Sequence, residues 1–475
     1  MVPAMRIPER YVCLFLRKKV MSGFSLPAAC VTINNDKTRR KGEKNLKANV
    51  RPLRIRSVVI ACMAVWLAVF SVGGAVSAAG TAGGEWVDNS LGLQLSAAVL
   101  IDADSGQVLY EVNADEPRPP ASMTKLMTEY IVLEQIKNKS LTWDQIVTVS
   151  EEAASTPPDG SQIYLAQGDQ HSVKDLYIAM AVGSANDATI ALASHIAGSE
   201  QGFVDLMNEK AQELGLKTAH FTSATGLLDT TIISARDMAK LAQVILKKYP
   251  EFLEYSNLQE YKFRPRDKAP MTNWNWMLGN YASKQNMKPF AYEGVDGMKT
   301  GFIKKAGYTF TGTVKRGDTR YISVVMNTKS KEARFYETAK LYNYAFGTFE
   351  KKTVVASKSV VESLEKATIK KGVKKTVPIM TESDITFAVK KGIEPKIELT
   401  GSSIMKPEEL IAPIKAGQKV GTATYKYTDD EGKVLERTVN LIASEDVKKA
   451  GWFKLMFRAI GGFFSGLFNG IVNLF

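Results

Sequence analysis

Two hydrophobic periodicities alternate along the chain. Around the turn Asp102-Ala-Asp-Ser-Gly106, segments 97–102 and 107–111 carry short apolar runs that read as the two strands of a hairpin. Pro117-Arg-Pro-Pro120 then stops the extended chain and opens a helix, in which Met123, Leu126, Met127, Tyr130 and Ile131 recur at helical spacing. Further helical patterns cover 173–182, 184–197, 201–214 and 236–248. From Asp296 the period changes to two, predicting strands at 296–302, 307–314 and 319–326, the last pair joined by Lys315-Arg-Gly-Asp318, and a helix at 331–347 follows. Strands at both ends with a helical block between them predict an α+β domain over 79–350, with one antiparallel sheet built from the first hairpin and the later meander.

Residues 351–445 change character. Short Val/Ile/Thr-rich segments at 374–378, 385–389, 396–399, 419–427 and 434–442 are broken by Gly, Pro and Asp-Asp-Glu-Gly432, which predicts a separate small all-β domain. No site chemistry is apparent in it, and a spacer or interaction module is the plainer reading. In the final segment, 446–475, Lys454, Arg458, Ser465, Asn469 and Asn473 fall within about a 100° arc of a helical wheel. Phe453, Met456, Phe457, Ile460, Phe463, Phe464, Leu467, Phe468, Ile471 and Phe475 occupy the other side. That polarity favours an amphipathic helix lying in a membrane surface, with Lys448, Lys449, Lys454 and Arg458 meeting anionic headgroups. A transmembrane stop and a core helix of the β domain are the competing readings.

Composition adds one correction to the view from total charge. The 475-residue chain is 45% hydrophobic and 23% charged, a globular balance, with a net charge of +13. Fourteen basic and three acidic residues lie within 1–78, which leaves 79–475 with only about +2. The basic total is therefore no argument for nucleic acid. Arg51, Arg54 and Arg56 precede an apolar run from Val58 to Val72 and the small-residue pattern Val76-x-Ala78, the layout of a secretory signal peptide cleaved near Ala78 or Ala79. Fifteen apolar residues fall short of the roughly 20 that a spanning helix needs. The polar extension 1–49 is unusual ahead of such a segment, and a translation start near Val50 or Leu53 is expected. Cys13, Cys30 and Cys62 all lie before residue 79, so a processed chain of about 397 residues has no disulfide, thiol nucleophile or cysteine metal site. An exported protein follows.

Three short patterns occur in order: Ser122-Met-Thr-Lys125, Ser184-Ala-Asn186 and Lys299-Thr300-Gly301. Ser-x-x-Lys alone means little, since Ser363-Leu-Glu-Lys366 also matches it. Context raises the first pattern. Ser122 sits just inside a helix start, and a spacing of three puts Lys125 on the same face, one turn on. Desolvation and neighbours can lower the lysine's pKa until it takes the hydroxyl proton, activating serine without histidine. The helix start also offers a free N–H and a dipole to an oxyanion. Ser184 and Asn186 follow a Gly183 break, where they can project into a cleft. Lys299 on a strand can bind a carboxylate, and Gly301 leaves room for close substrate approach.

On these residues the chain resembles the low-molecular-mass penicillin-binding proteins, serine D-alanyl-D-alanine carboxypeptidases of the peptidase S11 type. The similarity runs from about 97 to 346, and more loosely through the β domain and tail. It includes Asp102-Ala-Asp-Ser-Gly-Gln107, Phe221-Thr-Ser-Ala-Thr-Gly-Leu227 with Ser234-Ala-Arg-Asp-Met238, and Lys305-Ala-Gly-Tyr308. The resemblance implies a penicillin-binding/β-lactamase-like catalytic domain in which Ser122 attacks the terminal D-Ala-D-Ala bond of peptidoglycan pentapeptide stems with Lys125 as base. It further implies that Ser184 relays the proton, Asn186 holds the substrate amide, and Lys299 and Thr300 recognise the terminal carboxylate. The backbone N–H groups of Ser122 and Phe302, the residue after Gly301, would form the oxyanion hole, and Arg334 would assist at the carboxylate. β-Lactams would acylate Ser122. No cofactor or metal is implied, and His171, His195 and His220 read as structural or surface residues. An enzyme on the outer face of a bacterial cytoplasmic membrane, held by its C-terminal helix, is the expected setting.

A serine β-lactamase shares the three patterns but needs a carboxylate to activate the deacylating water, and no clear Glu-x-x-Leu-Asn loop lies between Asn186 and Lys299. A DD-transpeptidase differs only in its acceptor. A non-catalytic, membrane-tethered wall-binding protein is the reading from another class, and the intact triple pattern argues against it.

Overall fold

The structure is a computed structural model that describes residues 89–472, apart from 280, 282–286, 363 and 431. The segment read as an N-terminal extension and signal peptide, 1–78, lies outside the described residues.

The hairpin strands β1 (Ala97–Asp102) and β2 (Val108–Val112) form as expected. Helices α1 (Lys125–Lys137), α2 (Val173–Gly183), α3 (Asn186–Ala197), α4 (Glu200–Glu213) and α5 (Ala235–Lys248) follow, then strands β3 (Val295–Ile303), β4 (Gly307–Arg316) and β5 (Thr319–Thr328) and helix α6 (Ala333–Thr348). The strands make one five-stranded antiparallel sheet in the order β2-β1-β5-β4-β3, so the first hairpin does join the later meander. Ala97 opposes Met326 and Asp102 opposes Tyr321 across the β1–β5 seam.

Both faces of this sheet are covered. Ala97, Val99 and Ile101 pack with the helical block, beside Met127, Leu176 and Met238, while Ala98 and Leu100 pack with Phe335, Leu341 and Tyr342 of α6. A strand buried on both sides needs no polar alternation, which explains the uninterrupted Ala-Ala-Val-Leu-Ile run. Several helix starts are fixed by serine caps: Ser172, Ser199 and Ser234 each accept a hydrogen bond from the backbone N–H three residues on. Helix α1 begins differently, out of a 3-10 turn over Ala121–Thr124, so Ser122 lies in that turn and the α-helix starts only at Lys125. The turn packs against the edge strand β3.

Beyond α6 the chain enters β6 (Phe349–Val355), then β7 (Lys366–Thr368), β8 (Thr376–Thr381), β9 (Ile385–Lys390), β10 (Lys396–Ile404), β11 (Lys419–Thr428) and β12 (Val434–Ala443). These form a five-stranded sheet, β7-β8-β12-β11-β10, and a β6-β9 pair, around their own core of Val377, Phe387, Val420 and Leu441. Strand β6 carries no clean alternation, because Glu350, Lys351 and Lys352 occupy its centre; its pairing with β9 holds it. Gln107 clamps the two folded parts together: its Nε2 donates to Ala388 O at 2.7 Å and its Oε1 accepts from Ala388 N at 3.0 Å, both buried.

Helix α7 (Trp452–Val472) ends the described chain and exposes Trp452, Phe453, Met456, Phe457, Ile460 and Phe464. No helix among the described residues is long and apolar enough to cross a membrane. Arg458, expected to face headgroups, instead donates to Gly372 O at 2.6 Å and Val373 O at 3.0 Å, tying the helix to the β domain. Ahead of the helix, Val447 and Ala450 are buried and Val447 belongs to the β-domain core.

Candidate active site

A cavity of about 610 Å³ lies where the 3-10 turn, the start of α3 and the edge strand β3 meet. Its wall carries Ser122, Ser184, Asn186, Thr300, Gly301, Phe302 and Arg334, seven of the nine residues singled out from the sequence. Lys125 and Lys299, 0% and 3% exposed, are buried behind that wall. The histidines are elsewhere; none lines the cavity.

Lys125 Nζ sits 3.2 Å from Ser122 Oγ. Two acceptors fix it there: Asn186 Oδ1 at 2.7 Å and the carbonyl of Thr225 at 2.8 Å. Burial, reinforced by the nearby charge of Lys299, holds the Lys125 ammonium well below the usual lysine range, against the opposing pull of Glu129, Glu200 and Asp187. A lysine whose pKa is lowered in this way and whose nitrogen contacts a hydroxyl is placed to take its proton.

Backbone shape contributes as much as side chains. Ala121, just before the nucleophile, has φ +52°, and Ser184, which closes α2, has φ +58°. Left-handed conformations at non-glycine residues cost of order 1 kcal/mol or more and persist only when surroundings impose them. Gly226 makes room for the first: with φ +78°, a Cβ there would lie 2.0 Å from Ala121 O and 2.5 Å from Thr124 Oγ1. Ser184 Oγ is buried without a hydrogen-bond partner among the described residues, leaving it free to accept and pass a proton.

Gly301 serves a purpose other than the one expected. The space its Cβ would fill is occupied by protein: Thr309 Oγ1 at 2.5 Å, Pro120 O at 2.7 Å and Ser122 N at 3.0 Å. The glycine therefore lets strand β3 press against the nucleophile's turn, and substrate approach is not what excludes a side chain. Because β3 is the outer strand of its sheet, its outward backbone groups face the cavity, ready for an extended ligand.

Around the Lys299 end, Arg334 reaches from α6 to donate to Gly301 O at 3.3 Å, and its guanidinium lies 5.7 Å from the ring centre of Tyr308. Arg334 is 4% exposed, so it is no surface arginine; burial lowers its pKa to about 10. Burial also pushes Lys299 down to about 8, opposed by Glu129 and assisted by Arg334. Phe302 stacks on Tyr308 with ring centres 4.3 Å apart, forming an apolar lip opposite Leu227 and Trp274.

Several contributors escaped the sequence reading. Thr225 acts through its backbone carbonyl and Gly226 through the absence of a side chain, features that no side-chain pattern declares. Asp187 organises the loop above the cleft by accepting from Ile163 N and Leu165 N at 3.1 and 3.0 Å. Glu129 falls four residues after Lys125, one turn on along the same face of α1, and is fully buried.

Comparison with known proteins settles the family. A D-alanyl-D-alanine carboxypeptidase family profile matches residues 88–330, and one for the penicillin-binding protein 5 C-terminal domain matches 349–449. The chain belongs to the D-alanyl-D-alanine carboxypeptidase family. It is 34% identical over 374 residues to the D-alanyl-D-alanine carboxypeptidase DacF of Bacillus subtilis strain 168, spanning 78% of this chain and 91% of that protein. Against the D-alanyl-D-alanine carboxypeptidase DacC of Escherichia coli K12 it is 34% identical over 362 residues, 75% of this chain and 85% of the other. Among solved structures, penicillin binding protein 5 from Haemophilus influenzae superposes with TM-score 0.60 at 31% identity, covering 75% of this chain and 98% of that one. A peptidoglycan synthesis regulatory factor (PBP3) from Streptococcus pneumoniae gives 0.63 at 30% identity, covering 75% and 100%. Within this family the fold class stands as read: a catalytic domain of sheet and helices followed by an all-β domain.

Proposed function

We propose that this chain is a serine D-Ala-D-Ala carboxypeptidase that removes the terminal D-alanine of peptidoglycan pentapeptide stems through an acyl-enzyme on Ser122. The observation that carries the proposal is the buried Lys125 Nζ, 3.2 Å from Ser122 Oγ. Neutral Lys125 takes the hydroxyl proton as Oγ attacks the carbonyl carbon of the scissile amide. The new oxyanion is met by the N–H groups of Ser122 and Phe302. The C–N bond then breaks, and Ser184, whose hydroxyl has no other partner, passes the proton from Lys125 to the departing amine of D-alanine. Water hydrolyses the ester, regenerating Ser122 and freeing the shortened stem. Asn186 serves both sides: Oδ1 holds Lys125, and Nδ2 holds the substrate amide. Lys299, Thr300 and Arg334 receive the terminal carboxylate. β-Lactams enter the same path and stay as slow esters on Ser122.

D-Alanine release from a synthetic pentapeptide tests the reading. Wild type is expected to release it and Ser122→Ala to release none; release undiminished by S122A contradicts the assignment. Rapid hydrolytic turnover of penicillin would instead favour a β-lactamase.

In the cell, the exposed apolar face of α7 lies in the membrane surface and holds the enzyme at the outer face of the cytoplasmic membrane. Lys448, Lys449 and Lys454 meet the headgroups, while Arg458 is engaged with the β domain.

A further inference from the structure

The loop that joins β7 to β8 reads Lys370-Lys371-Gly372-Val373-Lys374-Lys375, with an apolar residue set among lysines. Its lysines are all exposed, and so is Val373. Lys370 N donates to Leu410 O and Ala412 N donates to Lys370 O, each at 2.8 Å, which brings a second exposed apolar residue, Ile411, alongside. Basic side chains around isolated apolar ones are the combination that adheres to an anionic bilayer.

The loop is firmly seated. A Cβ on Gly372 would lie 2.7 Å from Lys374 O and 3.1 Å from the Val447 side chain, so the turn packs directly on the β-domain core. Val373 N donates to Lys448 O and Ala450 N donates to Lys371 O, both at 2.8 Å, binding the loop to the segment that leads into α7. Arg458, on the polar side of α7, then holds the carbonyls of Gly372 and Val373. Lys371, Lys375, Lys448 and Lys449 therefore gather at the root of the helix. Glu408 and Glu445 pair with Lys370 and Lys374 at 2.7 Å, whereas those four lysines form no ion pair among the described residues.

Depth follows from the same contacts. A helix lying in a membrane surface sinks its apolar side to the boundary between headgroups and acyl chains and leaves its polar side among the headgroups. Whatever touches that polar side, as Gly372 and Val373 do through Arg458, is held at headgroup level. Charges within about 10 Å of anionic headgroups still feel them through physiological salt.

Resting on the membrane-surface reading of α7, we propose that the 370–375 loop is a second membrane contact, which docks the β domain itself onto anionic phospholipid headgroups. Lys371 and Lys375 act with Lys448 and Lys449, and Val373 and Ile411 enter the interface between them. The helix fixes only its own depth. The second contact, joined to it by Arg458, fixes the tilt of the β domain over the bilayer, and the Gln107 clamp carries that orientation to the catalytic domain. Without α7 the same lysines are too few to hold the protein at the surface.

The test uses the full chain lacking 1–78 and vesicles of equal parts phosphatidylglycerol and phosphatidylcholine. One lysine near an anionic surface contributes about fivefold in partitioning, so Lys371→Gln combined with Lys375→Gln is expected to weaken binding by about 10-fold or more. Penicillin acylation and Tm should not change, and on phosphatidylcholine alone the variant should match wild type. Because this chain has no cysteine, Val373→Cys carrying an environment-sensitive dye reports depth directly. A blue shift is expected on the anionic vesicles, and none from the same dye at Lys139→Cys in the catalytic domain. Equal binding of wild type and the double variant to anionic vesicles, or an unshifted dye at 373, overturns the proposal. So does a double variant that keeps vesicle binding but loses retention on an anionic wall polymer, which would make the polymer the partner. Vesicle binding that survives removal of 452–475 would instead overturn the reading of α7, so the two failures are distinguishable.

Discussion

Asn186 Oδ1 accepts a 2.7 Å hydrogen bond from Lys125 Nζ, shorter than the 3.2 Å from that nitrogen to Ser122 Oγ. The asparagine therefore orients the base before any substrate arrives. Its backbone is equally fixed, since Asn186 N donates to Ser161 O at 2.7 Å.

Asn186→Ala removes one of the two acceptors that hold Lys125. A hydrogen bond between neutral groups contributes about 0.5–1.5 kcal/mol, so acylation of Ser122 by penicillin is expected to slow by about 2- to 10-fold. The lost acceptor also stabilised the ammonium, so the acid limb of the rate profile should move to lower pH. Stopped-flow acylation across pH checks both; a slower rate with an unmoved limb would leave Asn186 with the substrate alone.

Gly226→Ala should disrupt the site by forcing a Cβ into Ala121 O. We expect a destabilisation of at least about 2 kcal/mol together with loss of acylation. Gly168 provides the control, with φ +83° and nothing within 4 Å of its Cβ position. Gly168→Ala should cost about 1 kcal/mol and leave acylation intact. Urea unfolding and penicillin labelling of both variants make the comparison.

Glu129 and Lys299 make opposite contributions to stability as pH changes. Glu129, at about 7 in the fold against 4.5 for the free group, binds more protons folded than unfolded across that window, so stability falls as pH rises from 4.5 to 7. Lys299, at about 8 against 10.5, binds fewer protons folded, so stability rises from pH 8 to 10.5. Glu129→Gln is expected to remove up to about 3 kcal/mol of the acid-side decline and, because Glu129 supports the Lys299 charge, to start the alkaline rise at lower pH. Unfolding free energies at pH 5 and 7 for wild type and E129Q measure it; equal declines would contradict the burial argument.

Truncation should separate anchoring from catalysis if the cut respects the β core. Removing 452–475 is expected to abolish binding to anionic vesicles and leave penicillin acylation unchanged. Removing 446–475 also takes Val447 and Ala450 out of the core and should lower Tm. Vesicle sedimentation and thermal melts distinguish the two truncations, and equal vesicle binding with and without α7 would contradict the anchor.

Much of this architecture was legible in the sequence because its carriers are periodic. The β1–β2 hairpin, the helical block and the β3–β5 meander all declare themselves by spacing, and the three short patterns mark five cavity-wall residues and two buried lysines. What stayed hidden depends on tertiary approach. Strand β6 has charges where an alternating strand would have apolar residues, and only pairing to β9 holds it extended. Gly301 looks like room for a ligand until Pro120 O and Thr309 Oγ1 are seen filling that room. Arg458 belongs to a basic patch by its place on the helical wheel, yet two carbonyls of the β domain claim it. Thr225 contributes a backbone carbonyl, which no side-chain pattern reveals.

The central claim is that a buried, neutral Lys125 activates Ser122, and peptide mapping after incubation with a fluorescent penicillin tests it most directly. The account predicts a single label on the peptide containing Ser122 in wild type, and none in Ser122→Ala or in folded Lys125→Ala. Label on another residue, or undiminished labelling of Ser122 in K125A, would contradict it.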